Sequence, residues 1–168
     1  VAAGGDKHPT ACIGGLVYGC ARSRACGGAS DRGTMNAVTV DAALDVVESG
    51  QRVYLHGGAA TPTPLLYALA ERARSLTGVE TVSLHLDGPA PHVAPELAGH
   101  LRHNALFIGA NVRVAVAEGR ADFTPVFLSD IPQLFANGGA LPLDVALIQV
   151  SPPDAHGYCS LGVSVDVA

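Results

Sequence analysis

The segment from Ser151 to Ser160 carries the densest group of reactive side chains in this sequence, directly after the apolar run Leu143 to Val150. Two prolines restrict its backbone, which would hold the polar side chains in fixed directions, as a binding loop requires. The same residues also fit a simple turn, in which Asp154 caps the backbone and His156 hydrogen-bonds it. The candidate substrate-binding residues of this loop are Ser151, Asp154, His156 and Gly157.

Cys159 and His156 raise the separate hypothesis of a nucleophile and its base in the same loop. A cysteine can attack a substrate when a neighbouring base activates its thiol. Two close neighbours in one loop seldom reach the required mutual geometry, so the pattern favours ligand binding over covalent catalysis.

A second candidate site is the run from Gly57 to Thr61, which connects a β-prone segment to the start of a helix. Free N–H groups and the helix dipole at such a start favour a carboxylate or phosphate, and small side chains let a ligand approach the backbone. Gly57, Gly58 and Thr61 are therefore candidate ligand-binding residues, with a tight turn as the alternative. The run lacks both the dinucleotide glycine pattern and the lysine of a phosphate-binding loop.

Other polar residues give weaker signals. His100 and His103 have no third ligand at a recognisable spacing, which favours hydrogen-bonding histidines over a metal site. Arg113 and Arg120 could grip a carboxylate, but an arginine on a short amphipathic helix usually faces solvent. The sequence therefore predicts no metal cofactor.

Helical and strand patterns alternate along the chain and position these loops at strand ends. Thr39 is placed to cap a helix running through Ser49, and Pro62 and Pro64 open a second helix. Alternation of strands and helices predicts an α/β fold with a mainly parallel sheet flanked by helices, in which ligands bind beyond the C-terminal strand ends. The predicted strands are 52–56, 79–86, 105–108 and 143–150, with a weaker one at 161–167, and two further helices span about 112–118 and 131–136.

Composition limits the possible functions. The chain has 168 residues, 48% of them hydrophobic and 15% charged, which predicts one folded, soluble domain. A net charge of −5 with scattered basic residues gives nucleic-acid binding little support, and no apolar run is long enough for a membrane helix. Because neither an export signal nor a framework of paired cysteines is present, the sequence predicts a cytoplasmic protein.

Residues 1–34 differ from the rest, with eight glycines, three of the four cysteines and no sustained periodicity. We interpret them as an irregular extension, disordered or upstream of a natural start at Met35, and residues 35–168 as the domain. Cys12, Cys20 and Cys26 could instead bind a metal or form disulfides, but their spacing matches no paired-cysteine site.

Three runs resemble the N-terminal domain of the acetyl-CoA hydrolase/transferase family, in particular its 4-hydroxybutyrate CoA-transferase branch. They are Gly99 to Arg113, Glu118 to Pro132, and Leu141 to Asp166. The resemblance extends from about Thr39 to the C-terminus. The strings GHLRHN and SPPDAHGYCSLG argue against a sugar-phosphate isomerase on a similar fold.

The resemblance implies a class I CoA-transferase, which moves CoA from an acyl-CoA to a carboxylate through a glutamyl-CoA thioester. It implies a two-domain, usually homodimeric enzyme whose N-terminal domain lines the carboxylate or acyl pocket with segments matching Gly57 to Thr61 and Ser151 to Gly157. Ser129, within the second run, is a further candidate for substrate binding. Acyl-CoA and a small carboxylate would be the substrates.

The resemblance implies that the catalytic glutamate lies beyond Ala168, and the glutamates present agree with this, since none has a suitable setting. The five are Glu48, Glu71, Glu80, Glu96 and Glu118, and none lies at a glycine-flanked strand end. Covalent catalysis needs that nucleophile. The sequence therefore predicts an incomplete, inactive transferase domain that works as a homo-oligomer or with a partner carrying the missing C-terminal domain. The alternatives are a non-catalytic module that binds small anions and a fragment of an acyl-CoA hydrolase.

Overall fold

The computed structural model describes residues 10–13, 16–22, 37–136 and 138–167. The strands in these residues are β1 Thr10–Ile13, β2 Leu16–Arg22, β3 Ala37–Val38, β4 Arg52–Leu55, β5 Val79–Ser83, β6 Leu101–Ala105, β7 Ala121–Phe123 and β8 Val145–Val150. The α-helices are α1 Val40–Leu44, α2 Thr63–Ala73, α3 Arg113–Ala117 and α4 Ile131–Phe135. Short 3₁₀ turns cover Pro91–Val93, Pro95–Leu97 and Leu128–Asp130.

All the strands join one sheet in the order β3-β1-β2-β8-β4-β5-β6-β7. The five strands from β8 to β7 are mutually parallel, and β2 adds to β8 in the antiparallel direction. This confirms the predicted mainly parallel α/β sheet. From β4 the chain moves strand by strand to β7 and then returns to the other side of β4 as β8. The strand order therefore reverses between β4 and β8, which is where open α/β sheets form ligand crevices.

Helix α2 packs against the sheet as its apolar spacing predicts. Leu65, Leu66 and Leu69 are almost completely buried and share one core with Val53 and Leu147 of the neighbouring central strands. Pro64 lies in the first turn of the helix, where its missing N–H removes no intrahelical bond. This packing fixes the start of α2, and with it the loop that follows β4.

Several elements differ from the sequence prediction. The third predicted strand was wrong in position, because β6 spans Leu101–Ala105 rather than 105–108. Its polar side chains satisfy their hydrogen bonds within the sheet, as when His103 Nδ1 lies 3.0 Å from Thr81 Oγ1. An apolar run therefore could not mark this strand.

The first predicted helix is shorter than expected. Thr39 caps α1 by accepting the N–H of Ala42, as predicted, but the helix ends at Leu44. Val47 nevertheless remains completely buried. Val47 is therefore buried in the core, as a longer helix would have placed it, although the chain leaves the helix after Leu44 in a turn.

The two ends of the chain also depart from prediction. Residues 161–167 form turns rather than a strand. Strands β1 and β2 lie inside the stretch predicted to be irregular, so that prediction was wrong for these residues. Backbone pairing accounts for these strands, since β2 pairs with β8 from Val17↔Val150 to Arg22↔Val145 and β1 pairs with β2. Cys26 and Met35 lie outside the described residues.

Across the described ranges, no helix has the length and apolar character needed to cross a membrane.

Candidate functional site

The loops that follow β4, β5 and β6 are tied together at the C-terminal edge of the sheet. The Gly58 N–H donates to the carbonyl oxygen of His85 at 2.8 Å, which links the first two loops. The Asn111 side-chain amide donates to the carbonyl oxygens of Leu86 (2.9 Å) and Gly88 (3.0 Å), which links the third. These loops form one continuous rim beside the point where the strand order reverses.

Residues 57–61 form a tight turn in which the N–H groups of residues 58–61 already have acceptors. The Ala60 N–H donates to Gly57 O at 3.2 Å, and the Thr61 N–H donates to Gly58 O at 3.1 Å. The Ala59 N–H donates to Ser164 Oγ at 3.0 Å. Gly58 has φ +57°, in the left-handed region that glycine tolerates best. The predicted turn is therefore present, and the N–H groups of residues 58–61 are engaged by the protein itself.

Thr61 joins two of the loops through its hydroxyl. This group donates to Gly58 O at 2.7 Å and accepts the Asp87 N–H at 3.0 Å. The side chain is 8% exposed. Both contacts fix the shape of the rim, so Thr61 positions the turn.

His56, which follows β4 directly, is completely buried beneath the rim. Its Nδ1 accepts the Gln149 N–H of β8 at 3.3 Å, so the ring proton is assigned to Nε2. That nitrogen then donates to the carbonyl oxygen of Val165 at 3.3 Å. His56 thus connects the two strands of the crevice to residues 164–166, which lie over them.

Residues 164–166, here called the covering segment, pack directly on the two glycines. A Cβ atom at Gly57 would collide with Asp166 Oδ2 and with the carbonyl oxygen of His85, and one at Gly58 would lie 2.5 Å from Ser164 Oγ. The glycine pair therefore lets the chain's own covering segment approach the backbone.

Asp166 is the most unusual member of the covering segment. Both of its carboxylate oxygens are buried without a hydrogen-bond donor, and its φ of +53° is left-handed. The Tyr54 hydroxyl lies beside this carboxylate, although the two groups do not reach standard hydrogen-bond geometry. Burial raises the pKa of the Tyr54 phenol well above its usual range, and the Asp166 carboxylate raises it further.

The loop after β8 is an exposed, closed turn. The Ser151 N–H donates to Ser160 O at 2.8 Å, and the Ser160 N–H returns to Ser151 Oγ at 2.9 Å. Asp154 Oδ1 accepts the N–H groups of His156 (2.8 Å) and Tyr158 (2.9 Å). Asp154 therefore caps this turn, as one of the two sequence interpretations held, and the His156 side chain remains exposed beside Gly157, whose φ is +83°.

Other sequence candidates lie away from this rim. Ser129 is exposed in the 3₁₀ turn before α4, where its hydroxyl donates to Asp130 at 3.0 Å. His100 and Arg120 precede β6 and β7, at the opposite edge of the sheet, and contact Leu76 O and Glu118 respectively. These contacts hold the chain together locally.

The five glutamates also lie away from C-terminal strand ends. Glu80, within β5, forms an ion pair with Arg52 at 2.7 Å and accepts the Asn104 amide at 3.1 Å. The others lie in the turn before β4, on α2, in a 3₁₀ turn and just after α3. The absence of a glycine-flanked glutamate at a strand end, inferred from sequence, therefore holds for all five positions.

Sequence analysis missed three residues of the site. His56 had a local signal, since it is the polar residue between an apolar strand and the glycine pair. Ser164 and Asp166 had none, because their contacts with Ala59 and Gly57 join positions more than one hundred residues apart.

A parallel sheet with linked loops at its reversal point defines an open α/β domain. The sequence matches the acetyl-CoA hydrolase/transferase N-terminal domain over residues 34–168. The chain therefore belongs to the acetyl-CoA hydrolase/transferase family, as the sequence resemblance predicted.

Individual relatives agree with the family assignment. The chain is 47% identical to a succinyl-CoA:acetate/propanoyl-CoA:succinate CoA transferase of Fasciola hepatica, over 76% of this chain and 26% of the relative. It is 43% identical to the 4-hydroxybutyrate coenzyme A transferase of Clostridium kluyveri, over 77% and 30%. The crystal structure of RipA from Yersinia pestis superposes with a TM-score of 0.67 at 25% identity, over 75% and 31%. The chain thus spans less than a third of these relatives' lengths.

Proposed function

We propose that this chain forms one wall of the carboxylate and acyl pocket of an enzyme that moves CoA between an acyl-CoA and a short carboxylate, such as acetate or 4-hydroxybutyrate. The reversal of strand order between β4 and β8, with its linked loops at the C-terminal edge, carries the proposal, in a chain whose relatives are named CoA transferases. Residues from both sides of this reversal point would contact the substrates, together with Ser129: Gly57, Gly58, Thr61, Ser151, Asp154, His156 and Gly157.

In the proposed reaction a glutamate outside this chain acts as the nucleophile. Its carboxylate attacks the acyl-CoA carbonyl and releases the CoA thiolate, leaving an acyl–glutamyl anhydride. The thiolate then attacks the glutamyl carbonyl, so the acyl group leaves as a carboxylate with one glutamate oxygen. The second carboxylate reverses these steps and takes up CoA. This chain contributes the shape and polarity of the pocket wall, and a homo-oligomer or a partner would complete the site.

A chimera tests this proposal. Residues 39–168 would replace the homologous region of the Clostridium kluyveri enzyme, and transfer of CoA from butyryl-CoA to acetate would be measured. We expect turnover by the chimera and none by the isolated chain. Thioester loss that does not depend on acetate would indicate a hydrolase instead.

Substitution of two glycines, Gly58 in the turn and Gly50 outside it, provides a test with a matched control. Gly58→Ala and Gly50→Ala both place a side chain at a left-handed φ, but the methyl group at position 58 would stand in the turn proposed to contact the substrate, whereas the one at position 50 has open space outside that turn. In the chimera, Gly58→Ala is expected to lower kcat/KM at least tenfold, about 1.4 kcal/mol of transition-state stabilisation, and Gly50→Ala less than threefold. A folded chimera without acetate-dependent exchange would contradict the proposed function.

A further inference from the structure

We propose that the covering segment occupies the place where the substrate carboxylate would bind. A carboxylate must therefore displace Ser164 and Asp166 to reach the Gly57–Thr61 turn. This inference rests on the proposed function and adds a self-blocking step to it. It assigns to the covering segment control over access to the site.

The first argument is the occupancy of the Ala59 N–H. This group lies in the turn that leads into α2, an eleven-residue helix whose N-terminus favours negative charge. Its acceptor is the Ser164 hydroxyl, a neutral oxygen at 3.0 Å. A carboxylate oxygen would make a stronger, charge-assisted bond to the same N–H, so the hydroxyl can be exchanged for a ligand.

The second argument is the cost of the present arrangement at Asp166. Its two carboxylate oxygens are buried without a hydrogen bond of standard geometry, and Oδ2 lies against Gly57, which is unfavourable for a carboxylate. Its backbone also occupies the left-handed region. A segment held with an unsatisfied buried carboxylate gains solvation when it moves away, which lowers the energy needed to open the site.

The third argument is that the remaining contacts of the covering segment are few. Val165 is held by one hydrogen bond from His56 at 3.3 Å, and its side chain is 53% exposed. The preceding Val163 is 95% exposed. Within the segment the contacts are those of Ser164, the Val165 carbonyl and Asp166, and the chain is anchored again at Val167, which packs against the cluster that contains Tyr54 and Ile131.

Two substitutions separate these contributions. Ser164→Ala frees the Ala59 N–H, and Asp166→Asn removes the negative charge while keeping a residue that tolerates the left-handed conformation. The affinity of each chain for acetate would be measured by following the backbone amide signal of Ala59 in an NMR titration. Ser75→Ala is the matched control, because its hydroxyl bonds Arg72 O near the end of α2, away from the site.

We expect Ser164→Ala to bind acetate about fivefold more tightly than the unmodified chain. Removal of the like charge in Asp166→Asn is expected to have a larger effect, of about tenfold. Ser75→Ala should leave the affinity unchanged. If Ser164→Ala does not fold, Asp166→Asn alone decides the test.

Equal or weaker acetate binding by the folded variants would overturn this inference, because it would show that the covering segment only supports the turn. An active chimera together with that result would leave the proposed function standing. Tighter binding by the variants together with an inactive, folded chimera would instead support the carboxylate site and contradict the transferase assignment.

Discussion

Gly57→Ala is expected to lower the free energy of unfolding by about 3 kcal/mol, in the range of a steric clash within a packed site. The new methyl group would collide with the His85 carbonyl oxygen and with the Asp166 carboxylate. The carbonyl cannot move easily, because it accepts the Gly58 N–H at 2.8 Å. Chemical denaturation of the purified chain measures the loss.

Gly119→Ala is the control for the loss of a glycine alone. Gly119 has φ +73° and open space around a Cβ, so its substitution costs only the left-handed strain, about 1 kcal/mol. Gly57 carries no such strain, and its larger expected loss therefore comes from contact. If the two variants lost equal stability, the covering segment would not pack on Gly57 as described.

Acidification is expected to destabilise the fold through two buried histidines. His92, in the turn Pro91–Val93, and His103 of β6 are both buried, with ring centroids 4.7 Å apart. Burial lowers the pKa of His92 to about 4, and neither of its ring nitrogens has a hydrogen-bond partner. Burial, and then the neighbouring His92, lower the pKa of His103 well below its usual value.

The direction of this pH effect follows from how many protons the folded and the unfolded chain each bind. Well above pH 6.5 both the folded and the unfolded chain hold neutral imidazoles, and the fold keeps its full stability. As the pH falls toward 4, the unfolded chain takes up protons that the buried rings exclude. His92 alone then costs about 3 kcal/mol, with His103 acting in the same direction.

His92→Phe tests this prediction, because it keeps an aromatic ring and removes the titrating nitrogens. The free energy of unfolding, measured from pH 7 to pH 4, should fall less steeply in this variant than in the unmodified chain. His156→Ala, at an exposed position, should leave the slope unchanged. Identical slopes for His92→Phe and the unmodified chain would show that His92 is not excluded from protonation.

The sequence predicted those parts of the fold whose signals are local. The apolar spacing of Leu65, Leu66 and Leu69 identified α2 and its buried face, and the run through Val145 and Leu147 identified a central strand. Strand-end reasoning also placed the Gly57–Thr61 loop at the C-terminal edge of the sheet, where the structure has it. These features depend on short-range periodicity and on the general geometry of parallel sheets.

Features that depend on long-range pairing could not be predicted. Strand β6 buries polar residues whose hydrogen bonds are made to neighbouring strands, as His103 does with Thr81 of β5. Because these residues are polar, hydrophobicity did not indicate a strand there. The glycine pair was attributed to ligand approach, whereas Asp166 and Ser164 are what approach it in the structure. No pattern near Gly57 indicates a partner so distant in sequence.

The most direct test of the central claim is to locate the bond to CoA. The active chimera would be incubated with acyl-CoA, quenched and digested, and the peptide carrying CoA identified by mass spectrometry. We predict the adduct on a glutamate contributed by the Clostridium kluyveri part. An adduct on any of the aspartates or glutamates of residues 39–168 would contradict the claim that this chain supplies the pocket wall and not the nucleophile.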